Sequence, residues 1–363
     1  MRAVVLREPG SVSVEEIDRP TPGMGEVLVR LKATGICHTD KSFVAGGIPA
    51  PVPMVMGHEG AGVVEEVGEG AQSVVGDHVV LSIVASCGTC YQCSLGNRSI
   101  CEVGAVMSPG GLMLDGTTRL TKDQEDLHSL LCQSSLAEYA VVPATSAVAF
   151  DNEIPFQIAS LLACGAGTGF GAVTNRTVVF PGASAVVIGC GGVGLSSIMA
   201  LRVQGATTII GIDPSAEARA LAEKVGATHT IDPTATRALR EIGALTDGRG
   251  ADFAYDAAGV EGSTMLGFQA VRPGGDVVTI GIADATTEVT VDLYSLLMQK
   301  RLSGTFAGSL RPQIDIPGAL ALYKQGRLPL DLLITETVGL DDAPRLLDPD
   351  VHLPAGRAVV LFD

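Results

Sequence analysis

Short β-branched runs separated by glycine and proline dominate the first part of the chain. Residues 2–6, 27–33, 60–67 and 78–81 each read as a strand bounded by turn residues, a texture that continues to about Val142. From about Ser184 the pattern changes. Residues 185–188 form an apolar strand, 189–194 a glycine turn and 195–203 a helical run. A strand at 208–212 and a helix at 216–225 follow, with further strands at 253–256 and 277–281. Strands alternating with helical patterns predict βαβ units and a parallel sheet. After about Thr305 the pattern is mixed again, closing on a strand at 358–361. There is no internal repeat, low-complexity tract or long linker. The alternating unit therefore reads as an insert at 166–305 within a β-rich domain made of 1–165 and 306–363.

Length and composition bound this picture without altering it. A chain of 363 residues exceeds what one core supports, roughly 250–300 residues, and suits two domains. The longest apolar stretch, 183–201, is broken by Gly189, Gly191, Gly192, Gly194 and by serines. A strand–turn–helix fits it better than a membrane span of about 20 apolar residues. No apolar leader follows Met1, so a cytoplasmic location is expected. The net charge of −16 argues against a nucleic-acid partner, whose phosphates need clustered Lys and Arg. Eight cysteines in such a chain point to metal ligation rather than to disulfides.

Two motifs carry chemistry on their own. Gly189-Cys190-Gly191-Gly192-Val193-Gly194 follows a strand and opens a helix, the context in which G-x-G-x-x-G binds a dinucleotide. The first glycine permits the tight turn, the second lets the backbone approach the pyrophosphate, and the third allows helix and strand to pack closely. Asp213 lies nineteen positions after Gly194, at the end of the next strand, where a carboxylate accepts the adenosine ribose hydroxyls. Its charge opposes a 2′-phosphate, and the nearest cation is Arg219, so NAD is expected over NADP. The second motif is Cys87-x2-Cys90-x2-Cys93-x7-Cys101, in a segment that also holds Gly88 and Gly96. Four thiolates saturate a tetrahedral zinc and leave no open position, which predicts a structural site.

The quartet resembles the structural-zinc lobe of zinc alcohol dehydrogenases of the medium-chain family, and the resemblance extends almost end to end. Gly57-His58-Glu59-Gly60-Ala61-Gly62, followed by Gly68 and Ala71, matches that family's zinc signature. Gly35-Ile36-Cys37-His38-Thr39-Asp40 matches its first zinc-ligand turn, and Cys164-Gly165 with Thr168-Gly169 its last. The resemblance implies a GroES-like β-rich catalytic domain plus a Rossmann domain with a doubly wound parallel sheet. It also implies NAD and two zinc ions per subunit.

Roles for single residues follow from the same resemblance. Cys37, His58 and Cys164 would hold a catalytic zinc with a fourth position open to water or substrate. Spacing does not join Cys164 to the other two; that step rests on the family. The zinc would lower the pKa of an alcohol so that alkoxide forms near neutrality, and hydride would pass to the nicotinamide. Asp40 is implied as acceptor for the distal N–H of His58, and Glu59 as a carboxylate beside the metal that ligates it transiently. Thr39 would begin the proton relay. Where many members end that relay on histidine this chain has Ser42. His38, Thr168 and Arg357 fall at cofactor positions, His38 and Arg357 as cations on the phosphates. Ile83, Ile282 and residues 112–114 align with the substrate pocket, and the turn Asp115-Gly116-Thr117-Thr118-Arg119 with its entrance. Cys132 and Cys190 lack a partner set, and His78, His128, His229 and His352 read as packing or surface histidines.

The leading expectation is reversible oxidation of a hydrophobic primary alcohol to its aldehyde. A near alternative is a thiol-dependent formaldehyde dehydrogenase acting on an S-hydroxymethyl adduct. A zinc-free quinone reductase is disfavoured by the two ligand sets, and a non-catalytic nucleotide sensor by the open zinc set. A homodimer or homotetramer is expected by analogy, with 289–291 as a possible pairing edge and no membrane partner.

Overall fold

The β-branched runs of the first part pair into two sheets. In one, Ser11–Glu16, Arg2–Glu8, Met54–Val55, Glu125–Ser129 and Leu120–Lys122 lie side by side in that order. In the other the order is Ala147–Ala149, His78–Leu81, Gly60–Val67, Glu26–Ile36, Arg357–Leu361 and Ile334–Val338, with Tyr139–Pro143 also paired to Glu26–Ile36. The computed structural model describes residues 1–235, 237–283, 286–353 and 355–363. It divides into two units, one of Met1–Gly165, Arg311–Lys324 and Ile334–Asp363, the other of Ala166–Leu310 and Gln325–Leu333. Residues 306–310 and 325–333, assigned by pattern to the closing part of the β-rich domain, thus group with the second unit. The reason is burial: Ala307 and Gly308 are buried, Gly308 against the Thr168 backbone, and so are Leu328, Leu330 and Leu333.

In the first unit the long strand Glu26–Ile36 organises everything downstream. Val27, Val29 and Leu31 bury into one apolar cluster with Val64, Val79 and Leu81. Antiparallel pairing aligns Thr34 with Gly60 on one side and Ile36 with Ala358 on the other. Three chain segments therefore end at the same edge of the sheet. On the five-stranded sheet, Glu15 accepts from Arg7 at 2.7 Å and from Lys122 at 2.8 Å, and the Arg7 bond leads in holding its carboxyl at about 2. A carboxylate depressed in this way stabilises the fold above its unfolded value, about 4.3, and the benefit disappears as pH falls through 2. Glu15→Gln is expected to lose about 1–2 kcal/mol in urea unfolding at pH 7, solvent screening included, with the difference closing between pH 4 and 2.

In the second unit six strands form one parallel sheet: His229–Ile231, Thr208–Ile212, Ser184–Ile188, Ala251–Asp256, Val271–Thr279 and Arg301–Gly304. Counted along the chain this is the order 3-2-1-4-5-6 of a doubly wound sheet, whose switch point lies between the first and fourth strands. Ser184–Ile188 and Ala251–Asp256 are buried along their whole length, which is why their sequences are continuous rather than alternating. The helix after the glycine turn begins at Gly192 and ends on Gly205 in the left-handed region. The fifth strand runs Val271–Thr279, earlier than its apolar pattern at 277–281 predicts. Residues 289–291 belong to no strand; Arg301–Gly304 occupies the sheet edge, and Val291 packs sideways on the apolar cluster. Among the described residues no helix is long and apolar enough to cross a membrane.

Candidate active site

The converging strand ends of the first unit deliver the catalytic candidates. Cys37 follows Glu26–Ile36 directly and caps the helix His38–Val44. His58 and Glu59 precede Gly60–Val67, fixed there by the Gly35 amide donating to the Glu59 carbonyl at 3.0 Å. Gly57 just before them has φ +94, and a Cβ there would strike the Leu136 backbone. Cys164 occupies the turn between the helices Phe156–Leu161 and Gly165–Arg176. The structure brings Cys37, His58, Glu59 and Cys164 together: one ligand atom from each lies within 4.8 Å of the others, all four residues buried.

Asp40 does two jobs. Its Oδ1 pairs with His58 Nδ1 at 3.0 Å, and its Oδ2 accepts the Cys37 amide at 3.0 Å, closing the helix cap. With Nδ1 so engaged, His58 Nε2 is buried with no partner, the state of a nitrogen waiting for a metal. The hydrogen bond from Cys164, then the charges of Arg357 and His58, hold the Cys37 thiol well below its ordinary value. Two thiols, an orphaned imidazole nitrogen and a carboxylate are a donor set that suits zinc. Asp40→Asn keeps the size but loses one acceptor. Metal affinity in a chelator competition, and kcat/KM, are expected to fall about 10–100-fold.

Glu59, whose carboxylate lies within this cluster, is also bonded to two groups outside it. Its Oε1 accepts the Gly165 amide at 3.1 Å and pairs with Arg357 Nη2 at 3.1 Å; its Oε2 is buried and unpartnered. Burial pushes this carboxyl up to about 7 against the pull of Arg357. Arg357, assigned by resemblance to a phosphate, is buried, and the same Nη2 lies 3.6 Å from Cys37 Sγ. This placement follows from register, since Ala358 faces Ile36. His38 is exposed and Thr39 half-buried. Ser42 donates to the His38 carbonyl at 3.0 Å, so its proton is spent on its own helix while its oxygen can still accept.

The cysteine lobe holds the second set. A tetrahedral zinc with sulfurs at about 2.3 Å needs them about 3.8 Å apart. Cys101 Sγ lies 3.6 Å from Cys87 Sγ and 3.9 Å from Cys90 Sγ, and Cys93 completes the cluster. Backbone amides of Cys87, Cys90 and Gly104 point at these sulfurs, and those of Thr89 and Cys90 help hold the Cys87 thiol at about 6. All eight cysteines are free of disulfides. The lobe fits a closed metal site.

Several assigned residues land elsewhere. Met113 is buried in a cluster with Leu28, Ala85, Cys132 and Val141, and Leu114 packs on it, so this stretch is largely core. Arg119 clamps its own turn to Glu26 and Asp115. Ile83 donates its amide to Ala163, next to Cys164, and Ile282 is exposed on the second unit. Sequence reasoning missed Gln133, which braces the ligand strands by accepting from Gly60 and donating to the Leu81 carbonyl.

In the second unit the glycine turn and Asp213 are joined. Asp213 accepts the Cys190 amide at 2.8 Å and the Ser215 amide at 2.8 Å. Arg219 is committed to the Asp213 and Pro214 carbonyls and to Asp232. A Cβ on Gly194 would come closer than 3.0 Å to the Gly189 carbonyl, whereas one on Gly191 would meet nothing within 4 Å. Gly192 and Val193 start the helix, and Thr168 has a buried hydroxyl with no partner.

Comparison with known proteins agrees with this geometry. Residues 23–152 match the alcohol dehydrogenase GroES-like domain and residues 192–325 the zinc-binding dehydrogenase domain. The chain is 35% identical over 372 residues to S-(hydroxymethyl)glutathione dehydrogenase of Paracoccus denitrificans, covering 99% of each. It is 36% identical over 348 residues to the NDMA-dependent alcohol dehydrogenase of Amycolatopsis methanolica, covering 94% of this chain and 93% of that one. Among solved structures, benzyl alcohol dehydrogenase from Acinetobacter calcoaceticus superposes with TM-score 0.93 at 32% identity, covering 100% of this chain and 99% of that one.

Proposed function

The chain belongs to the zinc-dependent medium-chain alcohol dehydrogenases, and from that premise we propose that it oxidises a hydrophobic primary alcohol reversibly to its aldehyde with NAD. The observation that carries this reading is the buried set of Cys37, His58 and Cys164, joined by a Glu59 carboxylate whose Oε1 is already bonded to Gly165 and Arg357; two thiols and one imidazole leave a fourth position, as in a catalytic site. When bound there, zinc supplies Lewis acidity that eases deprotonation of an alcohol, and the nicotinamide supplies the hydride acceptor. The protein's own residues do the rest. Asp40 fixes the tautomer and angle of His58. Thr39, two residues past Cys37, takes the alcohol's hydrogen bond, and the Ser42 oxygen accepts further along, with water completing the exit. Cys87, Cys90, Cys93 and Cys101 hold a second, structural zinc. Gly189, Gly191 and the helix start at Gly192 receive the pyrophosphate, and Asp213 receives the ribose. The carboxylate of Asp213, with Arg219 tied up elsewhere, favours NAD over NADP.

The relationship to S-(hydroxymethyl)glutathione dehydrogenase supports a second substrate class, a thiol adduct of formaldehyde. Absorbance of reduced nicotinamide, with zinc-loaded protein, NAD or NADP, and a panel of alcohols, tests the proposal. Parallel wells hold formaldehyde with and without glutathione. Turnover of free alcohols with NAD is the expected result. Turnover only with formaldehyde plus thiol moves the substrate to the adduct, and no turnover with any of them overturns the reading.

A further inference from the structure

We propose that Gln133 is a positioning residue of the metal set, placing His58 by wedging its carboxamide between two strand ends beside that ligand. The proposal rests on the zinc reading above, because His58 is the ligand concerned. Strands Gly60–Val67 and His78–Leu81 pair antiparallel, with Val63 opposite His78, Gly62 opposite Val79 and Ala61 opposite Val80. The next pair in that register is Gly60 with Leu81, and there the side chain of Gln133 bridges the strands. Its Oε1 accepts the Gly60 amide at 2.8 Å and its Nε2 donates to the Leu81 carbonyl at 2.7 Å. Gln133 itself is buried. A carboxamide offers a neutral acceptor and donor side by side, so both strand ends are satisfied while a side chain holds them apart. This ladder therefore stops at Ala61, and the residues upstream, His58 and Glu59, meet Cys37 and Cys164 instead.

The segment that carries Gln133 is tied directly to the ligand segment. Leu136 donates its amide to the Met56 carbonyl at 2.9 Å, and Ser135 donates to the Gly57 carbonyl at 2.9 Å. The Ser135 hydroxyl also bonds that of Thr34 at 2.7 Å, and Thr34 is the strand partner of Gly60. The glycines on either side of His58 and Glu59 permit this approach. A Cβ at Gly57 would come closer than 3.0 Å to the Leu136 nitrogen, and one at Gly60 closer than 3.0 Å to Ser135 Cβ. Leu131, Cys132 and Ser134 take the left-handed region, at φ 52, 54 and 53. Non-glycine residues persist there only where the surroundings over-determine them. The turn thus keeps a conformation the chain alone would not choose, and with it the place of the Gln133 side chain. Asp40 fixes the His58 ring from Nδ1; Gln133 fixes where the backbone of that residue enters the site.

The test uses the full-length protein loaded with cobalt(II), whose visible spectrum reports the geometry of the ligands. Wild type, Gln133→Met, Gln133→Asn and Cys132→Ala are compared. Methionine keeps the length and loses both bonds; asparagine keeps the carboxamide and loses the reach. Cys132→Ala, in the same turn, removes only a bond to the Leu112 carbonyl and is the control for stability. In Gln133→Met the d–d bands should shift, and metal release to a chelator from Cys37, His58 and Cys164 should quicken about tenfold or more. The quartet should keep its metal. Gln133→Asn should move both readings the same way, release by about threefold or more. Cys132→Ala should lower the melting temperature with the bands unmoved. A Gln133→Met protein of lowered melting temperature, with the spectrum and release rate of wild type, would overturn the proposal. So would an equal change of both in Cys132→Ala. Should Gln133→Met fail to fold, Gln133→Asn decides by the same two readings. Cobalt at the quartet alone in wild type would overturn the zinc reading and this inference together. Absence of alcohol turnover in protein carrying both metals would sink only the function proposed above.

Discussion

Cys164→Ala is expected to carry one zinc per chain instead of two and to lose at least about 10³-fold in kcat/KM. Removing one of three protein ligands leaves Cys37 and His58, and two donors hold zinc weakly against the cell's chelators. Lewis acidity at the alcohol oxygen is worth several kcal/mol, and about 4 kcal/mol corresponds to three orders of magnitude. The remaining zinc should resist removal, because the sulfurs of Cys87, Cys90, Cys93 and Cys101 are untouched. Metal analysis by mass spectrometry separates the two populations directly. Cys132→Ala provides the contrast. That thiol is buried and donates to the Leu112 carbonyl, so its loss should cost stability, about 1 kcal/mol, but neither metal nor turnover. Equal metal loss in both variants would mean that Cys164 is a packing cysteine like Cys132.

The second large effect separates two glycines three residues apart. Gly194→Ala places a methyl against the Gly189 carbonyl where helix and strand touch. The helix must move or the turn must open. Either costs about 1–3 kcal/mol, the range of overpacking in a rigid interior. Nicotinamide binding should fall with it, since the helix start is displaced. Gly191→Ala is different. Its backbone is extended at φ −76 and its Cβ would meet nothing, so stability should change by less than about 1 kcal/mol. The same methyl would stand where the pyrophosphate approaches, and affinity for NAD is expected to drop about 10²-fold or more. Thermal unfolding and fluorescence titration on the two variants make the comparison. A Gly191→Ala protein that binds NAD normally would remove the turn from the binding site.

Much of this was legible in the sequence because the signals are local. The quartet lies within fifteen residues, and the glycine turn sits between a recognisable strand and helix. Asp213 was found by its distance from the turn, though its bonds to Cys190 and Ser215 were not foreseeable. Residues whose role depends on register were harder. Arg357 reaches Cys37 only because Ala358 pairs with Ile36, a match that hydropathy does not encode. Cys164 joined the set by resemblance, as no spacing rule spans that separation. The helix His38–Val44 went unread because seven residues hold too few turns to show a period. Met113 looked like pocket lining by position, yet burial against Leu28 and Val141 decided its place. Gly35 and Gly165 were the overlooked clue: glycines beside ligands that need space rather than a turn.

The strand Arg357–Leu361 lies between Glu26–Ile36 and Ile334–Val338, and its first residue touches Cys37, 320 positions earlier. During synthesis, therefore, Cys37, His58 and Cys164 leave the ribosome long before the segment that completes their sheet. Until it arrives, Glu26–Ile36 has an open edge where Arg357–Leu361 will pair, and the Glu59 carboxylate lacks its cation. At roughly 5–20 residues per second this interval lasts on the order of ten seconds or more. If the two proposed sites take zinc, the quartet lobe, local in sequence, is complete in that time, whereas the set of Cys37, His58 and Cys164 gains its final sheet only afterwards.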